Sequence, residues 1–176
     1  ERAARSLLLD LLSGMRALEK GIAEDIDTEF LHEFRIAVRK VRVLSAQLAA
    51  VFPPEMEEEA RTDFAYVGRI TSRLRDLDVI LLNARDYRTK VPEELAPALD
   101  GFFARLRVAR REELAGVVEA LTSQPYLSIV SRWEAAFGRP LHGGRKSRAP
   151  ASRMVSKLVR KRLDRLRKLL GSLGKH

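Results

Sequence analysis

The sequence predicts an all-α fold, an antiparallel bundle of long helices. Apolar residues recur at helical spacing along nearly the whole chain, and strand patterns are almost absent. The breaks between these periodic stretches carry the prolines, glycines and acidic residues that are typical of helix ends. Hydrophobic residues make up 45 % of the 176 residues, so the chain can bury a core and is not a disordered polycation.

The first two helices are separated by a cluster of helix-start residues. The first helix is expected over residues 5–22, where leucines, a methionine and an isoleucine repeat at helical spacing. The second follows Asp25, Asp27 and Thr28, with the acids near the positive end of the helix dipole and Thr28 as the N-cap. It is expected to end before Pro53.

The third helix is expected to be long and uninterrupted. Pro53, Pro54 and the glutamates after them indicate its N-terminus. Apolar positions from Phe64 to Leu81 continue the helical period, so a single helix should reach about Arg88.

Two further helices complete the first part of the chain. The fourth opens at Pro92, and the fifth follows Pro125. The residues expected to face the core from the fourth helix are Leu95, Leu99, Phe102, Phe103, Leu106, Val117 and Leu121. Those expected from the fifth are Ile129, Val130, Trp133 and Phe137.

Charge and composition divide the chain into three segments. Residues 1–138 form a first helical-bundle repeat, and residues 139–150 form a linker rich in glycine, proline and basic residues. Residues 151–176 form the basic first helix of a second repeat, which is expected to stop there. The first 138 residues carry 20 Lys/Arg and 23 Asp/Glu, whereas residues 139–176 carry 13 Lys/Arg and only one acid, Asp164. Such a basic segment indicates a polyanionic partner.

Composition also excludes several classes of protein. The absence of cysteine excludes a disulfide framework, a thiolate zinc site and a cysteine nucleophile. No apolar run is long enough to span a bilayer, and no signal-peptide pattern opens the chain, so no membrane insertion is expected. The expected location is the cytoplasm.

The second helix carries the main candidate site, a row of His32, Arg35, Arg39 and Arg42. At about 100° per residue these side chains fall within an arc of roughly 80°. The apolar residues of the helix, Phe34 among them, lie on a different arc. No carboxylate interrupts this cationic row, whereas ordinary surface helices alternate the two signs. The row therefore predicts an anion-binding face.

His32 also admits other interpretations. A metal site is not expected, because the only other histidines are His142 and His176, in the linker and at the terminus. A phosphohistidine-type nucleophile is an alternative, since arginines around a histidine suit phosphoryl transfer. Alone, His32 would be a helix-terminal residue that bonds a neighbour.

A second motif lies in the third helix at Arg75, Asp76 and Asp78. Arg75 and Asp78 are three residues apart and can pair. The carboxylates could serve as metal ligands or general bases, but groups that hold arginines in place are the favoured interpretation. No glycine-rich phosphate loop is present.

The two motifs together resemble those of the CHAD family, the conserved-histidine α-helical domain. Residues 31–42 (LHEFRIAVRKVR) resemble its signature, and residues 74–79 (LRDLDV) resemble its second motif at a similar distance downstream. The resemblance covers essentially the whole chain. It implies one half of a pseudo-two-fold architecture plus the first helix of the second half, with a basic groove between two similar bundles.

The resemblance also implies binding of inorganic polyphosphate. Members are typically bacterial or archaeal and are often fused to a CYTH triphosphatase domain. We predict no cofactor and no enzymatic activity, with Asp76 and Asp78 supporting the site. The predicted polyphosphate-binding residues are His32, Arg35, Arg39, Lys40, Arg42, Arg75, Lys157, Arg160 and Lys161.

Other functions remain open from the sequence. A nucleic-acid-binding bundle would use the same cations non-specifically, although base-stacking aromatics are missing. A phosphohydrolase or phosphotransferase would use His32 and Asp76. A purely structural scaffold would bind no anion. The apolar face of the predicted sixth helix, the basic helix that begins at residue 151, suggests a homodimer.

Overall fold

A computed structural model describes residues 2–48 and 51–140, together with Ser156, Arg160, Leu163 and Asp164. These residues contain helices and no strand, which confirms the predicted all-α bundle. The helices are α1 (Arg2–Ala23), α2 (Thr28–Gln47), α3 (Pro54–Ile70), α4 (Ser72–Leu82), α5 (Ala84–Arg88), α6 (Ala96–Thr122) and α7 (Gln124–Gly138), with a 3-10 turn at Glu93–Leu95.

The core lies where α1, α2, α3 and α7 meet. α1 packs against both α2 and α7, and α2 also packs against α3. The Trp133 ring of α7 lies 5.8 Å from Phe64 and 5.1 Å from Phe137, measured between ring centroids. The core residues predicted for the fifth helix are confirmed, because Ile129, Val130, Trp133 and Phe137 are all buried.

The turn from α1 to α2 is fixed by two aspartates. Asp25 adopts a left-handed backbone conformation with φ of 49°, which ends the first helix. Asp27 is the N-cap of α2, and its carboxylate accepts a hydrogen bond of 2.8 Å from the Glu29 backbone N–H. The prediction of Thr28 as the cap was therefore wrong by one residue.

The close contact between α1 and α2 requires glycine at position 21. A Cβ atom built on Gly21 would lie 2.1 Å from Cδ1 of Phe30, a separation that forces one of the two groups to shift. We expect Gly21→Ala to lower the free energy of unfolding by about 1–3 kcal/mol, because the Phe30 ring must move.

Gly14→Ala is the matched control on the same helix. A Cβ at Gly14 meets nothing within 4 Å, so this variant should gain about 0.5–1 kcal/mol of stability from helix propensity. Urea denaturation of both variants measures the difference. Equal stability would mean that Phe30 rearranges without cost.

The predicted long third helix was wrong, because the structure breaks it twice. The first break is at Thr71, which is fully buried with φ of −108° and ψ of −1°. The Gly68 carbonyl accepts hydrogen bonds from the hydroxyls of Thr71 and Ser72 at 3.1 and 2.8 Å. The second break is at Asn83, whose side-chain amide donates to the Val79 carbonyl at 2.7 Å. Short polar side chains therefore compete with the backbone for helix carbonyls at both breaks.

α6 belongs to the core only in its C-terminal half. Val117 and Leu121 join the buried cluster, whereas Leu95 and Phe102 are exposed, so their predicted place in the core was wrong. The helix packs against α4 and also contacts α1, α5 and α7. Phe103 of its N-terminal half is buried and lies 6.3 Å from the Tyr87 ring.

Some predictions fall outside the described residues. These are the linker from residue 141 onward and most of the sixth helix, including Lys157 and Lys161. Arg160 and Leu163 are described, and both are helical and exposed. None of the described helices has the length and apolar character needed to cross a bilayer.

Candidate functional site

The cationic row of α2 lines one side of a cleft of about 390 Å³. The opposite side comes from Gly68 at the end of α3 and from Arg75 and Val79 of α4. The described residues that line the cleft are His32, Arg35, Ile36, Val38, Arg39, Arg42, Gly68, Arg75 and Val79. None of these residues carries a carboxylate, so the cleft wall is cationic and apolar.

The amphipathic pattern of α2 positions the row. Phe34, Val38 and Val41 are buried in the bundle core, and this fixes the rotation of the helix about its axis. Arg39 and Arg42, on another arc, are exposed. The structure thus brings together all four members of the row and adds Arg75 from a different helix.

Arg35 is anchored to the break between α3 and α4. Its Nη1 donates to the Gly68 carbonyl at 2.7 Å and to the Thr71 and Ser72 hydroxyls at 2.8 and 3.2 Å. Burial lowers the pKa of the Arg35 guanidinium, and the Asp76 carboxylate opposes this by raising that pKa. Arg35 therefore joins the two walls of the cleft, which its side chain also lines.

Arg75 lines the cleft and also has an unpartnered buried donor. Its Nη1 is buried and has no hydrogen-bond partner among the described residues. This atom is shielded from solvent, so what Arg75 contributes to the cleft is the positive charge of its guanidinium.

The two aspartates of the second motif differ in role. Asp76 is exposed and acts on Arg35 through its charge. Asp78 Oδ1 accepts a 2.6 Å hydrogen bond from Nε of Arg110, so the expected pairing with Arg75 is limited to the charge of Arg75, which lowers the pKa of Asp78. Arg110 also binds Asp25 through both terminal nitrogens, at 2.6 and 2.8 Å.

Arg110 is the main residue that sequence reasoning missed. It lies 32 residues from Asp78 and 85 from Asp25, so no local spacing joins the three. Burial raises the pKa of Asp78, and the hydrogen bond from Arg110 lowers it. The cluster ties α4 and α6 to the turn between α1 and α2, behind the cleft.

The remaining predicted cations are not placed in the cleft. Lys40 is exposed and does not line the cleft, because its side chain lies about 100° around the helix from that of Arg39. Arg160 is exposed and helical. Lys157 and Lys161 lie outside the described residues.

A group with potential metal ligands surrounds His32. One ligand atom each from Glu29, His32 and Glu33 lies within 4.8 Å of the others, as their spacing on one helix allows. Both glutamates are exposed. Their carboxylates give the His32 end of the row a mixed charge.

Comparison with known proteins places this site in a family. No curated protein matches the chain. The family model described as the CHAD domain matches residues 6–176, which include both motifs and the whole cleft. The chain therefore belongs to the CHAD domain family.

Proposed function

We propose that this protein binds inorganic polyphosphate in the cleft between α2 and the α3–α4 break. The observation that carries the proposal is the convergence of Arg35, Arg39, Arg42 and Arg75 with His32 on one cleft without a carboxylate in its described wall. Membership in the CHAD family supports it, because that family is linked to polyphosphate binding.

Arginine suits a ligand that consists only of repeated phosphates. Its planar guanidinium donates two parallel hydrogen bonds to phosphate oxygens and stays charged at all physiological pH values. The helix rise separates Arg35 from Arg39 by about 6 Å and Arg39 from Arg42 by about 4.5 Å along the axis. Successive phosphates can therefore meet successive guanidinium groups.

Arg75 supplies a contact from the other wall of the cleft. Its guanidinium charge would attract phosphate oxygens, and α2 and α4 would then both contact the bound chain. Contacts along one chain reinforce each other through effective concentration, so long chains should bind more tightly than short ones. From their sequence positions, Lys157, Arg160 and Lys161 are proposed to add further cations, and Lys40 to contribute long-range attraction.

Isothermal titration calorimetry with long-chain polyphosphate near physiological salt tests this function. We expect saturable binding that weakens steeply as salt rises, because cations released from the ligand drive association. Duplex DNA of equal total charge is the competitor. It should displace polyphosphate only at large excess, because the cleft is about 390 Å³ and has no described element that reads bases.

Two results would contradict the proposal. One is an affinity too weak to measure at physiological salt. The other is displacement by DNA at equal charge concentration, which would indicate a nucleic-acid-binding bundle or a general basic surface.

A further inference from the structure

A second cleft lies beside the polyphosphate cleft and shares two arginines with it. Its volume is about 370 Å³, and Arg39 and Arg42 line both clefts. The residues that line the second cleft are Arg39, Arg42, Val43, Ala46, Glu57 and Arg61. Any anion bound by these two arginines can therefore extend to either side of them.

The second cleft differs from the first in its charge. Glu57 of α3 places a carboxylate in its wall, and no ion pair among the described residues involves Glu57. Arg61, four residues further along the same helix, is paired with Glu58 instead, with a hydrogen bond of 2.8 Å from its Nε. The α3 wall therefore presents one carboxylate without an ion-pair partner among the described residues and one guanidinium that is already paired.

We propose that a long polyphosphate chain continues across Arg39 and Arg42 into the second cleft, where Glu57 opposes its additional phosphates. Glu57 is then a specificity-determining residue that lowers the preference for long chains. The inference rests on the proposed function, since it assumes that the first cleft holds the start of the same chain.

The position of Glu57 makes its effect selective for long chains. All the phosphates of a ligand as short as tripolyphosphate can bind to the cations of the first cleft, so this ligand does not extend into the second cleft. A longer chain must bring phosphates close to the Glu57 carboxylate as it leaves Arg42. Glu57 is exposed, so water screens its charge, and two like charges about 6 Å apart in water repel with roughly the energy that changes affinity threefold.

α3 offers a matched control for this charge. Glu59 is exposed, as Glu57 is, but lies about 200° further around the helix and lines neither cleft. Glu57→Gln and Glu59→Gln remove the same charge from the same helix with the same change in shape. Any difference between them reports the local position of Glu57 rather than the net charge of the protein.

The experiment compares both variants with the wild type by calorimetry, with tripolyphosphate and with long-chain polyphosphate. We expect Glu57→Gln to raise the affinity for the long chain about threefold and to leave tripolyphosphate binding unchanged. Glu59→Gln should change neither. An equal effect of both variants on the long chain, an equal gain on both ligands, or no gain from Glu57→Gln would overturn the inference.

Failure of the inference can be distinguished from failure of the proposed function. Arg75→Ala removes a contact that lines only the first cleft. If it weakens tripolyphosphate binding while Glu57→Gln has no effect on the long chain, the first cleft binds polyphosphate and only the extension is wrong. If the wild type binds neither ligand, the proposed function itself is wrong.

Discussion

Replacement of Arg39 and Arg42 by alanine is expected to weaken polyphosphate binding at least a hundredfold. Both side chains line both clefts and are exposed, so they can meet any phosphate chain that enters either one. A hydrogen bond to a charged group contributes about 1.5–3 kcal/mol, and two such contacts correspond to a factor of roughly 10² or more in affinity.

The fold should survive this double substitution. No hydrogen bond or ion pair among the described residues involves Arg39 or Arg42, and Arg39 acts on Arg35 by repulsion between like charges. The melting temperature should therefore stay within about 2 °C of the wild type, as is usual for exposed positions. Calorimetry measures the affinity, and circular dichroism measures the melting temperature.

The matched control removes two arginines from another helix. Arg107 and Arg111 of α6 are exposed and four residues apart, and neither lines a cleft. Arg107→Ala/Arg111→Ala lowers the net charge by the same amount, so it should reduce affinity only slightly through the general field. Equal losses in the two double variants would mean that net charge, and not the cleft, drives binding.

Arg35 is unsuited to this test because its replacement would change two properties at once. Its Nη1 donates hydrogen bonds to Gly68, Thr71 and Ser72 at the break between α3 and α4. Loss of that contact would remove the hydrogen bonds that join α2 to this break and would loosen the cleft wall. A weakened affinity in an Arg35 variant could therefore come from the loss of a ligand contact or from a distorted cleft wall, and the affinity alone would not distinguish the two.

The second large effect is expected from Arg110→Ala, which should lower the free energy of unfolding by about 3–5 kcal/mol. The Asp78 side chain is 1 % exposed, and Arg110 is its ion-pair partner. Removal of the guanidinium leaves a buried carboxylate without its hydrogen-bonded ion-pair partner. It also frees Asp25, whose left-handed backbone ends α1. Urea denaturation measures the loss, with Arg107→Ala as the exposed control on the same helix.

The pH dependence of the Arg110→Ala variant gives an independent check. Burial already raises the pKa of Asp78, and loss of the Arg110 hydrogen bond should raise that pKa further. The folded variant then holds a proton that the unfolded chain has released, so its stability should rise as the pH falls from about 7 towards the ordinary range of aspartate near 4.

The difference in the free energy of unfolding between the wild type and Arg110→Ala should therefore become smaller as the pH falls over this range. Asp78→Asn in the Arg110→Ala background should recover part of the loss at neutral pH, because the buried charge is gone. A deficit that is independent of pH and unaffected by Asp78→Asn would show that Arg110 acts through packing alone.

The sequence predicted those features that depend on residues close together in the chain. The spacing of Phe34, Val38 and Val41 determines which face of α2 is buried, so the arc of Arg39 and Arg42 follows from helical periodicity alone. The same period identified the core residues of α7. Both results follow from the fixed geometry of the helix, in which side chains three and four residues apart share a face.

Tertiary packing alone decided which distant residues meet. Arg35 contacts the break at Thr71, 36 residues away in the chain, and the hydrogen-bond partner of Asp78 is Arg110 rather than its helical neighbour Arg75. Arg61 and Glu57 enter the second cleft only because α3 packs against α2. Helical periodicity determines which direction a side chain faces, but it contains no information on which helix lies opposite. That choice depends on how the buried surfaces of all the helices fit together.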